Sequence, residues 1–129
     1  MKRDGEANIQ KAMEISSYQL HMVLEKEEAI TIGKLGTFRF PAGRYVYTGS
    51  ARRNMGARLA RHMSKSKRIR WHIDYLLSNP HCRVFIVLLF SESECEVNRR
   101  SEGVVIVLGF GSSDCRSGCG GHLKYRARV

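Results

Sequence analysis

The sequence predicts an α+β fold in which helices flank a small antiparallel or mixed central sheet. Three observations predict it. In residues 18–24, every second side chain is apolar or aromatic, which is the period of a half-buried strand. From residue 54 the apolar positions recur at helical spacing. Residues 82–90 are almost all apolar, with β-branched and aromatic types, and predict a buried central strand.

The length and composition indicate one folded unit. A chain of 129 residues is in the range where a single hydrophobic core forms, so we expect one domain over residues 15–129. Residues 1–14 are expected to be a flexible or helical extension. The composition, 43% hydrophobic and 26% charged, excludes the disordered and membrane-spanning classes. Residues 1–10 lack the apolar segment of a secretory signal, which predicts a cytoplasmic protein that does not contact membranes.

The first half of the chain reads as a β-meander or hairpin. Residues 18–24 form the first strand, and residues 29–32 and 36–40 are short extended segments. Pro41 and Gly43 then turn the chain into a further strand, which covers residues 44–48.

The helical segments begin after this β region. In the first helix, Met55, Leu59 and then His62 or Met63 lie on one face, and residues 64–66 end the helix. A second helix is predicted at residues 70–78, with Trp71, Tyr75 and Leu76 on one face. A third helix is predicted from Ser91 to about Ser101, with Glu94 completing a capping box. The remaining elements are a strand at residues 104–108, a glycine- and serine-rich loop at 109–121 and an edge strand at 122–126.

The charge is distributed unevenly along the chain. The net charge is +10, and between Ala29 and Ile73 there is no acidic residue. Such a segment fits a polyanion, above all a nucleic-acid backbone, although a solvated surface face would have the same composition. The residues expected to contact nucleic acid are Gly49, Ser50, Arg52, Arg53, Arg61, Lys65, Lys67, Arg68 and Arg70.

One motif is more specific than the composition. Tyr47-Thr48-Gly49 follows a strand and is itself followed by Arg58 and, one helical turn later, by His62. Together with Tyr18 on the first strand, this pattern resembles the GIY-YIG endonuclease superfamily, and the resemblance extends over residues 17–125. Residues 16–18 read Ser-Ser-Tyr where that superfamily has Gly-Ile-Tyr, and Thr48 replaces the usual isoleucine.

The resemblance implies both a fold and a chemistry. It implies that Tyr18 and Tyr47 face each other on adjacent strands and handle the attacking water. Arg58 would bind the phosphate and His62 would transfer a proton. Residues 43–45, Gly-Arg-Tyr, look similar to the missing half of the motif, but they lie on the same strand as Tyr47. The implied substrate is DNA, cleaved in a shared cationic cleft.

These residue types suit phosphodiester hydrolysis on physical grounds as well. An arginine fork matches phosphate oxygens, and histidine exchanges protons near neutral pH. The resemblance also implies one Mg²⁺ or Mn²⁺ ion, held by a carboxylate on a later helix. Glu94 is the first choice for that ligand, although capping of the helix would explain the residue equally well. Asp74 with His72 is the alternative ligand pair.

The cysteines suggest a second kind of metal site. Without an export signal, the four cysteines are expected to be free thiols or metal ligands, and a disulfide framework is not expected. Cys115, Cys119 and His122 follow the pattern Cys-x3-Cys-x2-His and would bind structural zinc, with Asp114, Cys82 or Cys95 as a fourth ligand. A glycine-rich loop with incidental thiols is the alternative interpretation.

Three functions follow from these patterns. The first is a metal-dependent endonuclease that hydrolyses phosphodiester bonds in DNA. The second is a non-catalytic nucleic-acid-binding module on the same scaffold, as the altered Gly-Ile-Tyr half of the motif suggests. The third is a zinc-stabilised protein-interaction domain, in which the cysteine-containing loop matters and the basic segment does not.

Overall fold

A computed structural model describes residues 14–51, 53–111 and 118–127 of the chain. Of the expected extension over residues 1–14, all but Glu14 lies outside the described residues. The strands are β1 (Ser17–Leu24), β2 (Glu28–Ile32), β3 (Gly36–Phe40), β4 (Gly43–Ser50), β5 (Cys82–Phe90) and β6 (Leu123–Ala127), and the helices are α1 (Met55–Met63), α2 (His72–Leu77) and α3 (Glu94–Arg100).

The strands form two antiparallel sheets, which confirms the predicted α+β class. Four strands make the main sheet, in the order β5-β1-β4-β6. The hairpin of β2 and β3 is a separate two-stranded sheet, and a single 3-10 turn, Gly33–Leu35, joins its strands. Among the helices of the described residues, none is long and apolar enough to span a membrane.

The core lies on one face of the main sheet. Tyr18, Leu20, Met22 and Leu24 of β1 are all buried, as the alternation predicts. Cross-strand pairing places Tyr47 of β4 opposite Leu20, and Ile73, Leu76 and Leu77 of α2 belong to the same buried cluster. The two-residue period of β1 therefore determines which side chains face the core.

The prediction that residues 82–90 form a central strand is wrong. β5 pairs with β1 and is an edge strand of the four-stranded sheet. Phe85, Ile86, Val87, Leu88 and Leu89 are each 36–48% exposed. An apolar run identifies a strand but does not reveal how many neighbours will cover it.

The predicted strand at residues 104–108 is also wrong. Val104 makes one isolated bridge with Tyr125, and the chain then turns through residues 108–111. Gly109 has a φ of +81°, a conformation that suits a turn and not a strand. Val107 and Phe110 face inward from this turn and join the core.

The helices differ from the prediction in two details. In α1, His62 faces the interior and Met63 is exposed, so the structure selects the histidine. The N-cap of α3 is Ser93 and not Ser91, because the Ser93 side chain accepts a hydrogen bond from the Glu96 amide. Glu94 is thus the first residue of α3 and is not its capping-box partner.

Candidate functional site

The two tyrosines of the motif lie on adjacent strands. Tyr18 of β1 pairs with Gly49 of β4, and the rings of Tyr18 and Tyr47 are 6.4 Å apart. A Cβ atom at Gly49 would lie only 2.5 Å from the Tyr18 hydroxyl. Glycine is therefore required at this position so that the phenol can lie against the strand. Tyr45 of the look-alike motif instead packs against Phe40.

His62 of α1 reaches this pair from the helix. Its Nε2 lies 2.6 Å from the Tyr18 hydroxyl, and its ring centroid is 6.3 Å from that of Tyr47. Burial lowers the pKa of His62 to about 4, and the charges of Lys67 and Arg58 lower it as well. Burial also raises the pKa of Tyr18 to about 12. At neutral pH a protonated Tyr18 therefore donates to a neutral His62.

Arg58 is held in place at the end of β4. Its Nη1 donates to the Ser50 carbonyl at 2.5 Å, and its guanidinium stacks 4.6 Å from the centre of the Trp71 ring. The guanidinium groups of Arg61 and Arg70 also lie near the Trp71 ring, at 4.4 Å and 5.3 Å from its centre. One indole thus gathers three cations on a single part of the surface.

Glu94 and Arg58 both form hydrogen bonds with Ser50 of β4. The Ser50 hydroxyl donates to Glu94 Oε1 at 3.1 Å, and His122 Nδ1 lies 3.0 Å from Oε2. Burial opposes ionisation of this carboxyl, but its hydrogen bonds with His122 and Ser50 and the charges of His122 and Arg58 outweigh burial. The pKa of Glu94 is therefore lowered, and the carboxylate, with its side chain 31% exposed, is ionised at neutral pH.

The alternative metal ligands are engaged elsewhere. Asp74 is fully buried and accepts hydrogen bonds from both Nη atoms of Arg61 and from the backbone amides of Arg70 and Trp71. Three of these donors bind Oδ2 and one binds Oδ1, so most of the accepting capacity of this carboxylate is already used. His72 uses Nδ1 to accept from the Gly111 amide at 2.9 Å. Exposure distinguishes the two carboxylates, because Asp74 is fully buried whereas the Glu94 side chain is 31% exposed.

The predicted nucleic-acid surface divides into two sets of cations. Lys65 donates to three backbone carbonyls, Lys67 donates to the His62 carbonyl, and Arg61 pairs with Asp74, so these three stabilise the fold. Arg53, Arg68 and Arg70 of the predicted set are exposed to solvent, whereas Arg52 lies outside the described residues.

Burial contradicts the expected open cleft. Tyr18 is 1% exposed, His62 is 2% exposed and Tyr47 is 8% exposed. These side chains therefore pack in the interior and do not line an open groove. Burial also raises the pKa of Tyr47, and the nearby Tyr18 and Glu94 raise it further. Only Arg58 and Glu94 of the five predicted residues are partly open to solvent. The tyrosines are therefore poorly placed to handle a water molecule directly.

A second cluster adjoins Glu94. The ligand atoms of Cys95, Cys119 and His122 lie within 4.8 Å of one another, so these residues could hold a metal ion. Cys119 and His122 belong to the predicted zinc pattern, whereas its third residue, Cys115, and Asp114 lie outside the described residues.

Sequence reasoning missed two contacts of the site. The pairing of His122 with Glu94 joins residues 28 positions apart, and no local spacing indicates it. The dual role of Ser50, whose carbonyl binds Arg58 and whose hydroxyl binds Glu94, depends on the convergence of α1 and α3 at the end of β4.

Comparisons with known proteins identify a family. Residues 17–129 match the family model described as domain of unknown function DUF123. No curated protein and no solved structure gives a significant match to the chain.

Proposed function

We propose that this chain, which belongs to the family described as domain of unknown function DUF123, is a divalent-metal-dependent nuclease that hydrolyses phosphodiester bonds in DNA. The observation that carries the proposal is the arrangement around Ser50. This residue holds the Arg58 guanidinium with its carbonyl and the Glu94 carboxylate with its hydroxyl, beside the two phenols of the motif.

The donor set around Glu94 suits Mg²⁺ or Mn²⁺. These ions prefer oxygen ligands and are commonly bound by one or two carboxylates, together with waters and the phosphate of the substrate. Glu94 supplies one ionised, partly exposed carboxylate. When bound, such an ion would neutralise the charge that develops on the phosphate and lower the pKa of a coordinated water.

The chain's own residues have separate roles in this proposal. Arg58 binds the phosphate, because its guanidinium is partly open and is oriented by Ser50 and Trp71. Tyr18 and His62 act as positioning residues behind it, and this assignment follows from their burial. It replaces the direct roles in water activation and proton transfer that the motif suggested. The exposed Arg53, Arg68 and Arg70 would contact the backbone on either side of the scissile bond.

A cleavage assay tests this function. Branched and linear DNA are incubated with the purified chain, with and without Mg²⁺ or Mn²⁺, and nicking is followed on denaturing gels. Arg58→Ala and Glu94→Gln should each lower the rate by about 100- to 1000-fold. Glu96→Gln is the matched control, because Glu96 is an exposed residue of the same helix. Absence of metal-dependent cleavage by the wild-type chain would refute the proposal.

The burial of the phenols favours a second candidate, a non-catalytic nucleic-acid-binding module. With Tyr18 only 1% exposed, the scaffold and its cationic surface would be retained without turnover. Binding would then weaken steeply with salt, since each phosphate contact contributes about −0.9 to the slope of log K against log salt for duplex DNA. Binding without any product identifies this second function.

A further inference from the structure

We propose that Cys95, Cys119 and His122 bind a zinc ion in a site distinct from the proposed Mg²⁺ position. Their ligand atoms lie within 4.8 Å of one another, and Cys95 Sγ is 3.9 Å from His122 Nε2. Tetrahedral zinc separates a sulfur and a nitrogen ligand by about 3.6 Å, and two sulfurs by about 3.8 Å. The cluster therefore closes around an ion through shifts of about 1 Å or less.

The chemistry of the donors selects the metal. Two thiols and one imidazole suit zinc, whereas Mg²⁺ and Ca²⁺ prefer oxygen. The spacing of Cys119 and His122, with two residues between them, lets one turn of backbone present both ligands. Gly120 lies inside that turn with a φ of +79°, a conformation that glycine adopts without steric cost.

The orientation of His122 is suited to coordination. Its Nδ1 lies 3.0 Å from Glu94 Oε2, and its Nε2 is directed toward Cys95. Proteins commonly orient a metal-binding imidazole in this way, with a carboxylate on one nitrogen and the metal on the other. His122 is only 1% exposed, so the ring has little freedom to turn away.

The backbone around the cluster is fixed by other contacts. Asn98 of α3 donates from its side chain to the Gly121 carbonyl at 3.0 Å, which ties the cysteine-bearing helix to the segment before β6. The His122 amide donates to the Phe110 carbonyl at 2.8 Å, and the His122 carbonyl accepts from the Thr48 amide at 2.9 Å. A metal ion would therefore find two of its ligand segments already held together.

The site bears on the proposed nuclease without depending on it. Glu94 precedes Cys95 in the chain and binds His122, so zinc on Nε2 would hold the Nδ1 hydrogen toward the Glu94 carboxylate. Zinc would thereby position Glu94. A zinc site can exist whether or not the chain cleaves DNA, and the inference goes beyond the proposed function.

Metal content and cobalt spectra test the inference on the full chain. The protein is purified under reducing conditions with zinc in the medium, desalted, and measured by mass spectrometry of the metal. We expect about one zinc per chain for the wild type and less than about a tenth of that for Cys95→Ser and Cys119→Ser. Cys82→Ala is the matched control, because Cys82 is a buried cysteine that is not part of the cluster, and it should retain the ion.

Cobalt substitution provides an independent readout. Co²⁺ bound by two thiolates and an imidazole gives thiolate-to-metal charge-transfer absorption and intense visible bands of tetrahedral geometry. The wild type and Cys82→Ala should show both, and each serine variant should show a weakened charge-transfer band. Circular dichroism checks that the variants fold. If a serine variant does not fold, the cobalt spectrum of the wild type tests the site, because thiolate-to-cobalt absorption requires cysteine ligands.

Three outcomes would overturn the zinc site. They are a reduced wild-type chain that takes up no zinc and shows no thiolate-to-cobalt band, full zinc content in both folded serine variants, and equal loss of the ion in a folded Cys82→Ala variant. None of these results depends on DNA cleavage, so failure of the zinc site and failure of the nuclease are distinguishable.

Discussion

Replacing Tyr18 with phenylalanine removes the hydroxyl that contacts His62 Nε2 at 2.6 Å. The other ring nitrogen of His62, Nδ1, already has no hydrogen-bond partner within the described part of the chain. The variant therefore leaves a buried imidazole with its hydrogen-bonding groups unsatisfied. Such a loss costs about 1–3 kcal/mol. For a chain of this length, each kcal/mol corresponds to a fall in melting temperature of roughly 4 °C.

A double-mutant cycle isolates this contact. His62→Leu removes the other partner, and in the Tyr18→Phe/His62→Leu chain neither polar group is left alone in the interior. The two changes should therefore be non-additive by about 1–2 kcal/mol in urea unfolding. Tyr45→Phe is the matched control, because Tyr45 is also buried but donates its hydroxyl to the Pro41 carbonyl at 2.5 Å. Combined with His62→Leu, this control should be additive.

The reasoning fails under either of two results. One is a Tyr18→Phe chain as stable as the wild type. The other is a cycle in which Tyr18→Phe and His62→Leu add independently, which would show that the hydroxyl and the imidazole do not support each other in solution.

Three further predictions follow from the same structure. Gly49→Ala should lower the free energy of unfolding by about 1–3 kcal/mol and abolish cleavage, since its Cβ would lie 2.5 Å from the Tyr18 hydroxyl. Chemical denaturation and the nicking assay measure the two effects, and an active, fully stable variant would contradict the packing described. Asp74→Asn should lower the free energy of unfolding by about 3 kcal/mol in the same denaturation experiment, because it removes the buried charge that balances Arg61. A decrease of less than about 1 kcal/mol would contradict this prediction. Burial lowers the pKa of His62 in the folded chain from 6.5 to about 4. Between pH 6.5 and pH 4 the unfolded chain therefore binds more protons than the folded chain. The free energy of unfolding should fall by about 3 kcal/mol in total as the pH drops through that range. The difference between wild type and His62→Leu across that pH range isolates this contribution, and parallel curves would contradict it.

Local patterns predicted much of the fold correctly. The alternation in β1 placed Tyr18 and Leu20 on the core face, and the helical spacing after residue 54 predicted α1. These features depend on neighbours in the chain, and one buried face determines the register of a strand. The same local patterns failed for β5, since an apolar run has the same composition at the edge of a sheet as at its centre.

The candidate site was predictable only in part. The spacing from Arg58 to His62 placed both residues on one helix, and the Tyr-x-Gly motif placed Tyr47 on a strand beside Tyr18. Their burial was not predictable, because it depends on how closely α1 and Trp71 cover the sheet. Exposure is a property of the packed molecule, and the burial of Tyr18 and His62 changes the role proposed for them from direct chemistry to positioning.

By itself, the sequence determined the chemical types that are available: an acid-free cationic segment, paired tyrosines, an arginine and a histidine one turn apart, and cysteines near a histidine. The tertiary structure alone decided which of them meet. Ser50 joins Arg58 to Glu94, and His122 joins Glu94 to Cys95, through contacts between segments that are distant in the chain. The physical reason is that side-chain periodicity is encoded locally, whereas a metal or phosphate site requires groups from several elements at distances that only the packing of those elements sets.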